Sequence, residues 1–111
     1  MRVTSALWVS ALVRRYNALG AMAVVAGRGA EEAGAVFIIV DRLDGRSDLF
    51  GPAPQTSFDE ARPSDRLFQK LIDGESSAAI EARLARERKF DPDLWTLAIE
   101  DREGRILFET V

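Results

Sequence analysis

The chain contains no cysteine and no histidine. The first absence excludes disulfides, thiol nucleophiles and thiolate metal sites. The second removes the side chain whose ordinary pKa lies nearest neutrality, and with it the usual general acid–base and zinc ligand. Lysine occurs only at positions 70 and 89, so a Schiff-base site has two candidates and no motif to support either. No window approaches the ~18 apolar residues of a membrane span. The longest nearly apolar stretch, residues 18–27, is short and rich in Ala and Gly. Arg2, the apolar residues 3–13 and Ala21-Met22-Ala23 together resemble a secretory signal, but Arg14 and Arg15 interrupt it. A cytoplasmic location is therefore expected.

What remains is ordinary globular material. The 111 residues are 47% hydrophobic and 30% charged, which suits one domain over 1–111 that needs no staple or metal to fold. The net charge of −3 disfavours phosphate backbones and anionic lipid. It hides an asymmetry. Residues 1–46 hold six Arg against four acids, whereas residues 47–111 hold nine basic against fourteen acidic residues.

Periodicity predicts a helix over 5–19. Trp8, Val9, Leu12, Val13, Tyr16 and Leu19 fall in one sector, with Leu7 as a large apolar residue on the polar side. Thr4 or Ser5 caps it and Gly20 ends it. Residues 21–28 and 34–41 read as strands, and the second is apolar on both faces. Such a strand is covered on both sides or lies at an oligomer contact, so a homodimer is expected. Asp41-Arg42-Leu43-Asp44-Gly45-Arg46 echoes Asp101-Arg102-Glu103-Gly104-Arg105. Both read as hairpin turns, pairing 34–41 with 46–50 and 94–100 with 105–109. Residues 51–64 carry Pro52, Pro54 and Pro63 and form the one irregular stretch. Residues 65–73 fit a strand or a helix, and the short span between Pro63 and Gly74 favours a strand. Residues 77–89 are a helix stopped by Asp91-Pro92. Trp95, Leu97 and Ile99 then alternate as a strand. A helix over 92–101 is the rival. The expected fold is α+β: an antiparallel five- or six-stranded sheet with two helices packed on it.

Four phrases carry a resemblance: Leu7-Trp8-Val9-Ser10, Ala33-Gly34-Ala35-Val36-Phe37, Leu49-Phe50-Gly51-Pro52-Ala53-Pro54, and Phe90-Asp91-Pro92-Asp93-Leu94-Trp95 leading into Ile99-Glu100-Asp101-Arg102. With them the whole chain resembles an uncharacterised family of short bacterial proteins, domain-of-unknown-function family 1491. The resemblance implies a bacterial, cytoplasmic, single-domain protein. It implies no reaction, cofactor or site residue.

The residues themselves offer little chemistry. Carboxylates at Asp91 and Asp93, and at Glu100, Asp101 and Glu103, are the only catalytic material in quantity. Acid–base work needs one of them buried with a raised pKa; nothing in the spacings shows burial, and they read first as a helix stop and a turn. Asp41, Asp44 and Asp48 lack the alternation and terminal Glu of a calcium loop. Gly27-Arg28-Gly29 lacks the lysine and spacing of a phosphate loop. No metal and no cofactor is expected.

Three readings follow. The first is a small non-enzymatic protein-interaction module, whose partner is itself or another protein. Its surface would be the Pro-bearing loop 51–64 and the corner at residues 91–95, with Phe58 as apolar anchor and Asp91 and Asp93 as charged rim. The alternative is a nucleic-acid-associated protein using a rim of Arg14, Arg15, Arg28, Arg42 and Arg46, without the aromatic residues that usually accompany such a rim. The third is a carboxylate-dependent enzyme.

Overall fold

A computed structural model describes residues 3–54 and 66–111. Phe58 lies outside the described residues. The elements run α1 (Ser5–Ala18), β1 (Met22–Gly27), β2 (Val36–Asp41), β3 (Ser47–Pro52), β4 (Leu67–Glu75), α2 (Ser77–Phe90), β5 (Trp95–Glu100) and β6 (Glu109–Thr110). The six strands form one sheet in the order β1-β5-β2-β3-β4-β6.

Helix α1 forms where the apolar period demanded it. Val9, Leu12 and Tyr16 are buried, and Leu7 on the opposite side is exposed. The Thr4 hydroxyl accepts from the Leu7 amide and caps the first turn. Ser5 is left for another task described below. Leu67–Glu75 is a strand, the reading favoured for residues 65–73, and α2 is capped by Ser76.

The sheet is mixed, which corrects the antiparallel expectation. β2 and β3 do form the hairpin expected at Gly45, with Ile38 opposite Phe50 and Asp41 opposite Ser47. β5, however, enters between β1 and β2. It runs antiparallel to β1 and parallel to β2, with Val36 beside Trp95 and Asp41 beside Glu100. The physical reason is α2. A hairpin reverses a chain once, but a helix between two strands reverses it twice, so β5 emerges parallel to β4 and β2.

The same insertion overturns the second hairpin. Both edges of β5 are occupied, so residues 105–109 have no ladder to join there. They cross the α1 side of the sheet instead. The Tyr16 hydroxyl donates to the Arg105 carbonyl at 2.6 Å and accepts from the Leu107 amide at 3.0 Å. Phe108 then packs edge-on against Phe50 and Phe68, and β6 pairs in parallel with β4. The echo between the two Asp-Gly segments is shared turn chemistry. Asp41 accepts from the amide of Leu43, and Asp101 from that of Glu103, each two residues on.

The two faces of the sheet have separate cores. On one, α1 covers Val36, Ile38, Val40, Phe50, Phe68, Trp95, Leu97 and Ile99. On the other, Ile80 and Leu84 of α2 meet Phe37, Leu49 and Leu94. This accounts for the doubly apolar β2 within one chain, so that strand no longer argues for a dimer. Trp95 is buried, whereas Trp8 is only half-buried, stacked on Phe68 with ring centroids 5.4 Å apart.

Candidate functional site

Parallel β2 and β5 start at the same end of the sheet, and loops from distant parts of the chain meet there. The loop before β2 is tied down on three sides. The buried Ser5 hydroxyl donates to the Gly34 carbonyl at 2.6 Å. The Trp95 indole donates to the Ala30 carbonyl at 2.7 Å. The Ala30 amide donates to the Asp93 carbonyl at 2.8 Å. Gly34 must be glycine, because a Cβ there would sit 2.5 Å from the Asp93 carbonyl oxygen and 2.9 Å from the Trp95 ring.

A cleft of about 240 Å³ opens beside this junction, lined by residues 33–36, 52–53, 66–68 and Asp91. Its walls are mostly small side chains and backbone. Arg66 is its cation. The guanidinium donates to the Ser5 hydroxyl at 3.1 Å and the Val3 carbonyl at 3.2 Å, and lies 5.8 Å over the Trp8 ring. On its other side Arg66 borders a second hollow of about 330 Å³, with Val3, Thr4, Glu32 and Ala33. Asp91 caps the C-terminal end of α2, and its carboxylate accepts from the Asp93 amide at 3.1 Å. Asp93 works through its backbone carbonyl and leaves its carboxylate exposed. Phe90, the last residue of α2, is 88% exposed at the same corner. Pro92 beside it is also exposed.

Asp91 and Asp93 thus lie together, but Arg14 and Arg15 lie elsewhere. Both are exposed on α1, where Arg15 donates to the Leu107 carbonyl at 3.1 Å. The other arginines of the expected rim are dispersed. Arg28 stands 5.1 Å over Trp95 at the start of β5. Arg42 and Arg46 follow β2 at its opposite end, about 20 Å away at ~3.3 Å per residue. Arg42 is held by Asp48 and Asp73, and Arg46 by Asp44.

Asp48, Asp73 and Asp101 are likewise committed to structure, whereas Asp93 and Glu100 are exposed. Buried Asp48 takes Arg42 and the Gly74 amide. Buried Asp101 takes the Arg105 guanidinium at 2.8 Å. The hydrogen bond from Arg105 holds the Asp101 carboxyl below its ordinary pKa, and nearby Lys70 and Arg42 do the same for Asp73. Neither shift is the upward one that a general acid needs. Among the described residues no group of three His, Cys, Asp or Glu is placed to hold a metal. Among the same residues no helix is long and apolar enough to cross a membrane.

Sequence reasoning missed Arg66 and Phe90. Arg66 precedes an ambiguous segment and has no motif. Phe90 opens the most specific phrase of the resemblance, yet nothing in its spacing marks it as exposed. The four phrases themselves turn out to be neighbours. Trp8 stacks on Phe68 at the cleft, residues 33–36 and 52–53 line it, and Asp91 closes it.

The model of a family described as "Protein of unknown function (DUF1491)" matches residues 3–109. The chain belongs to the DUF1491 family. Solved structures agree. A protein from A. tumefaciens, known from its solution structure, is 45% identical, with a TM-score of 0.80, over 90% of this chain and 86% of that one. The crystal structure of a DUF1491 family protein from Caulobacter crescentus CB15 is 32% identical, also with a TM-score of 0.80, over 98% of this chain and 99% of that one. None of the curated proteins matches the chain. For this DUF1491 protein the geometry must therefore carry the functional argument.

Proposed function

We propose that this DUF1491 protein is a small non-enzymatic protein-interaction module, and that its partner seats at the corner formed by Phe90, Asp91, Pro92 and Asp93 and in the adjoining cleft. The observation that carries this reading is Phe90, 88% exposed on a rigid helix end beside a concavity. Leaving a phenylalanine in water forgoes roughly 1.5–3 kcal/mol of burial, and an exposed aromatic at a pocket is the usual form of a binding anchor. The corner is held by α2, by the Asp91 turn and by the Asp93–Ala30 hydrogen bond, so little backbone order is lost on binding. Acidic Asp91 and Asp93 favour a partner with basic rim residues around an apolar pocket.

A photoreactive benzoylphenylalanine in place of Phe90 tests this in cells of the native host. One discrete protein adduct is expected, and the same group in place of exposed Arg86 on α2 should give none. No adduct at 90, or the same adduct at both positions, would remove the proposed surface.

A further inference from the structure

Helix α2 covers only part of its side of the sheet. It packs chiefly over β3 and β4, and its buried Ile80 and Leu84 meet Phe37 and Leu49. In the strand order β1-β5-β2-β3-β4-β6 this leaves β5 and β1 without a helix on that side, among the described residues. Two strands at a spacing of ~4.8 Å span about 10 Å, which is the width of one helix. The edge of β1 is closed, because the Asn17 side-chain amide donates to the Ala23 carbonyl at 3.2 Å and accepts from the Ala23 amide at 2.9 Å. What β1 offers is therefore its face.

That face is apolar. Ala23, Leu97 and Ile99 point under α1, so Met22, Val24 and Ala98 point the other way. Met22 and Val24 are 60% and 51% exposed, and Val24 stands beside half-buried Ala98. Between β5 and α2 the surface dips into a hollow of about 100 Å³, whose lining includes Ile39, Ala98 and three charged residues, Asp41, Glu81 and Glu100. All three are acidic. Neither Glu81 nor Glu100 has an ion-pair partner among the described residues. Arg88 follows Glu81 about two turns later on the same side of α2, so the groove is acidic at one end and basic towards the other.

We propose that this groove holds an amphipathic helix of a partner protein, laid beside α2 over β5 and β1. Its apolar stripe lies on Met22, Val24 and Ala98, and its lysine or arginine side chains lie beside Glu81 and Glu100. Charge selects the occupant. Covering two unpaired carboxylates with a neutral or acidic helix costs their hydration and returns nothing, whereas a basic helix supplies the missing partner. Geometry selects the element. The free width matches one helix, and α2 forms the wall against which it packs, at the usual interaxial distance of about 8–10 Å. The length also fits, because six strand residues span about 20 Å, or about thirteen residues of helix. The groove is distinct from the Phe90 corner. Phe90 lies about 13 Å further along α2 than Glu81 and on the opposite side of that helix.

Fluorescence anisotropy of two synthetic peptides of about fourteen residues, added to the full chain, tests the proposal. Both carry leucine at helical spacing, one with lysine and the other with glutamate at the flanking positions. The lysine peptide is expected to bind, and the glutamate peptide to bind at least about tenfold more weakly. Glu81→Lys, Glu100→Lys and Val24→Lys should each weaken the lysine peptide by a similar factor, whereas Phe90→Ala should leave it unchanged. Val24, Glu81 and Glu100 are exposed, so each variant should keep its circular dichroism and melting temperature. Met22→Lys replaces Val24→Lys if that variant fails to fold. No binding of the lysine peptide, equal binding of both peptides, or binding that none of the groove variants alters overturns the proposal. So does a wild-type dimer in sedimentation that Val24→Lys dissolves, because the face then belongs to a second copy.

Discussion

The indole of Trp95 donates to the carbonyl of Ala30 at 2.7 Å, binding the loop ahead of β2 to the first residue of β5. Trp95 is 1% exposed, and the half-buried Ala30 carbonyl also accepts from the Gly34 amide at 3.2 Å. Trp95→Phe keeps a ring but removes the indole hydrogen bond, and it should cost about 0.5–1.5 kcal/mol. Trp95→Ala also opens a cavity and should cost about 3–5 kcal/mol. Urea unfolding followed by circular dichroism measures both. Equal losses would mean that the hydrogen bond contributes nothing beyond packing.

Gly34 tests the same junction from the other side. A Cβ at this position meets two backbone oxygens, of Asp93 and Ala30, and neither can move without breaking a hydrogen bond. Gly34→Ala should destabilise by at least about 1–3 kcal/mol, the ordinary cost of overpacking. Gly45→Ala has open space around it and serves as the comparison, carrying only the strain of its positive φ. Melting temperatures that rank the two the other way would show that the loop is looser than its contacts indicate.

Local elements were legible in the sequence because local forces make them. The spacing of Val9, Leu12 and Tyr16 defined α1, and the alternation of Trp95, Leu97 and Ile99 defined β5. Asp91-Pro92 marked the end of α2. Strand order was not legible. No residue of β5 announces that it will lie between β1 and β2, since that placement follows from α2 burying Ile80 and Leu84 on Phe37 and Leu49. The expected hairpin at Gly104 failed for the same reason. Asp101 and Gly104 make the turn the sequence indicates, but β5 has no free edge to receive the returning chain. The turn at Asp91 and Asp93 was legible from Pro92. Phe90 was missed because exposure of an apolar residue depends on where α2 ends over the sheet.

Thr96 offers a gain in stability. Its side chain lies on the α2 side of β5, 1% exposed, and its hydroxyl has no hydrogen-bond partner among the described residues. Thr96→Val removes a buried polar group, keeps the β-branched shape and should stabilise by about 1 kcal/mol. A higher urea midpoint with an unchanged slope is the expected result. A loss of stability would indicate a water bound to the Thr96 hydroxyl.

Acid sensitivity should trace to Asp101. The hydrogen bond from Arg105 is the first cause of its lowered pKa, burial opposes it, and the Glu103 and Arg105 amides assist. A carboxylate with a folded pKa below its unfolded one stabilises the protein above the unfolded value. That stability is lost as pH falls through the folded value. The loss therefore begins near the ordinary value of 3.8 and deepens below it. Asp101→Asn should lower the melting temperature at neutral pH and flatten its fall in acid. A variant with the wild-type acid slope would assign that slope to other carboxylates.

A partner seated on the end of the sheet at Phe90 would cover backbone amides of the surrounding loops. The direct measurement is amide hydrogen exchange on the protein with the partner trapped at residue 90, compared with the protein alone. Slowed exchange is expected in residues 33–35, at Ala53 and in residues 90–94, with the β2–β3 turn at residues 42–46 unchanged. Slowing confined to that turn, or to α1 around Arg14 and Arg15, would contradict it.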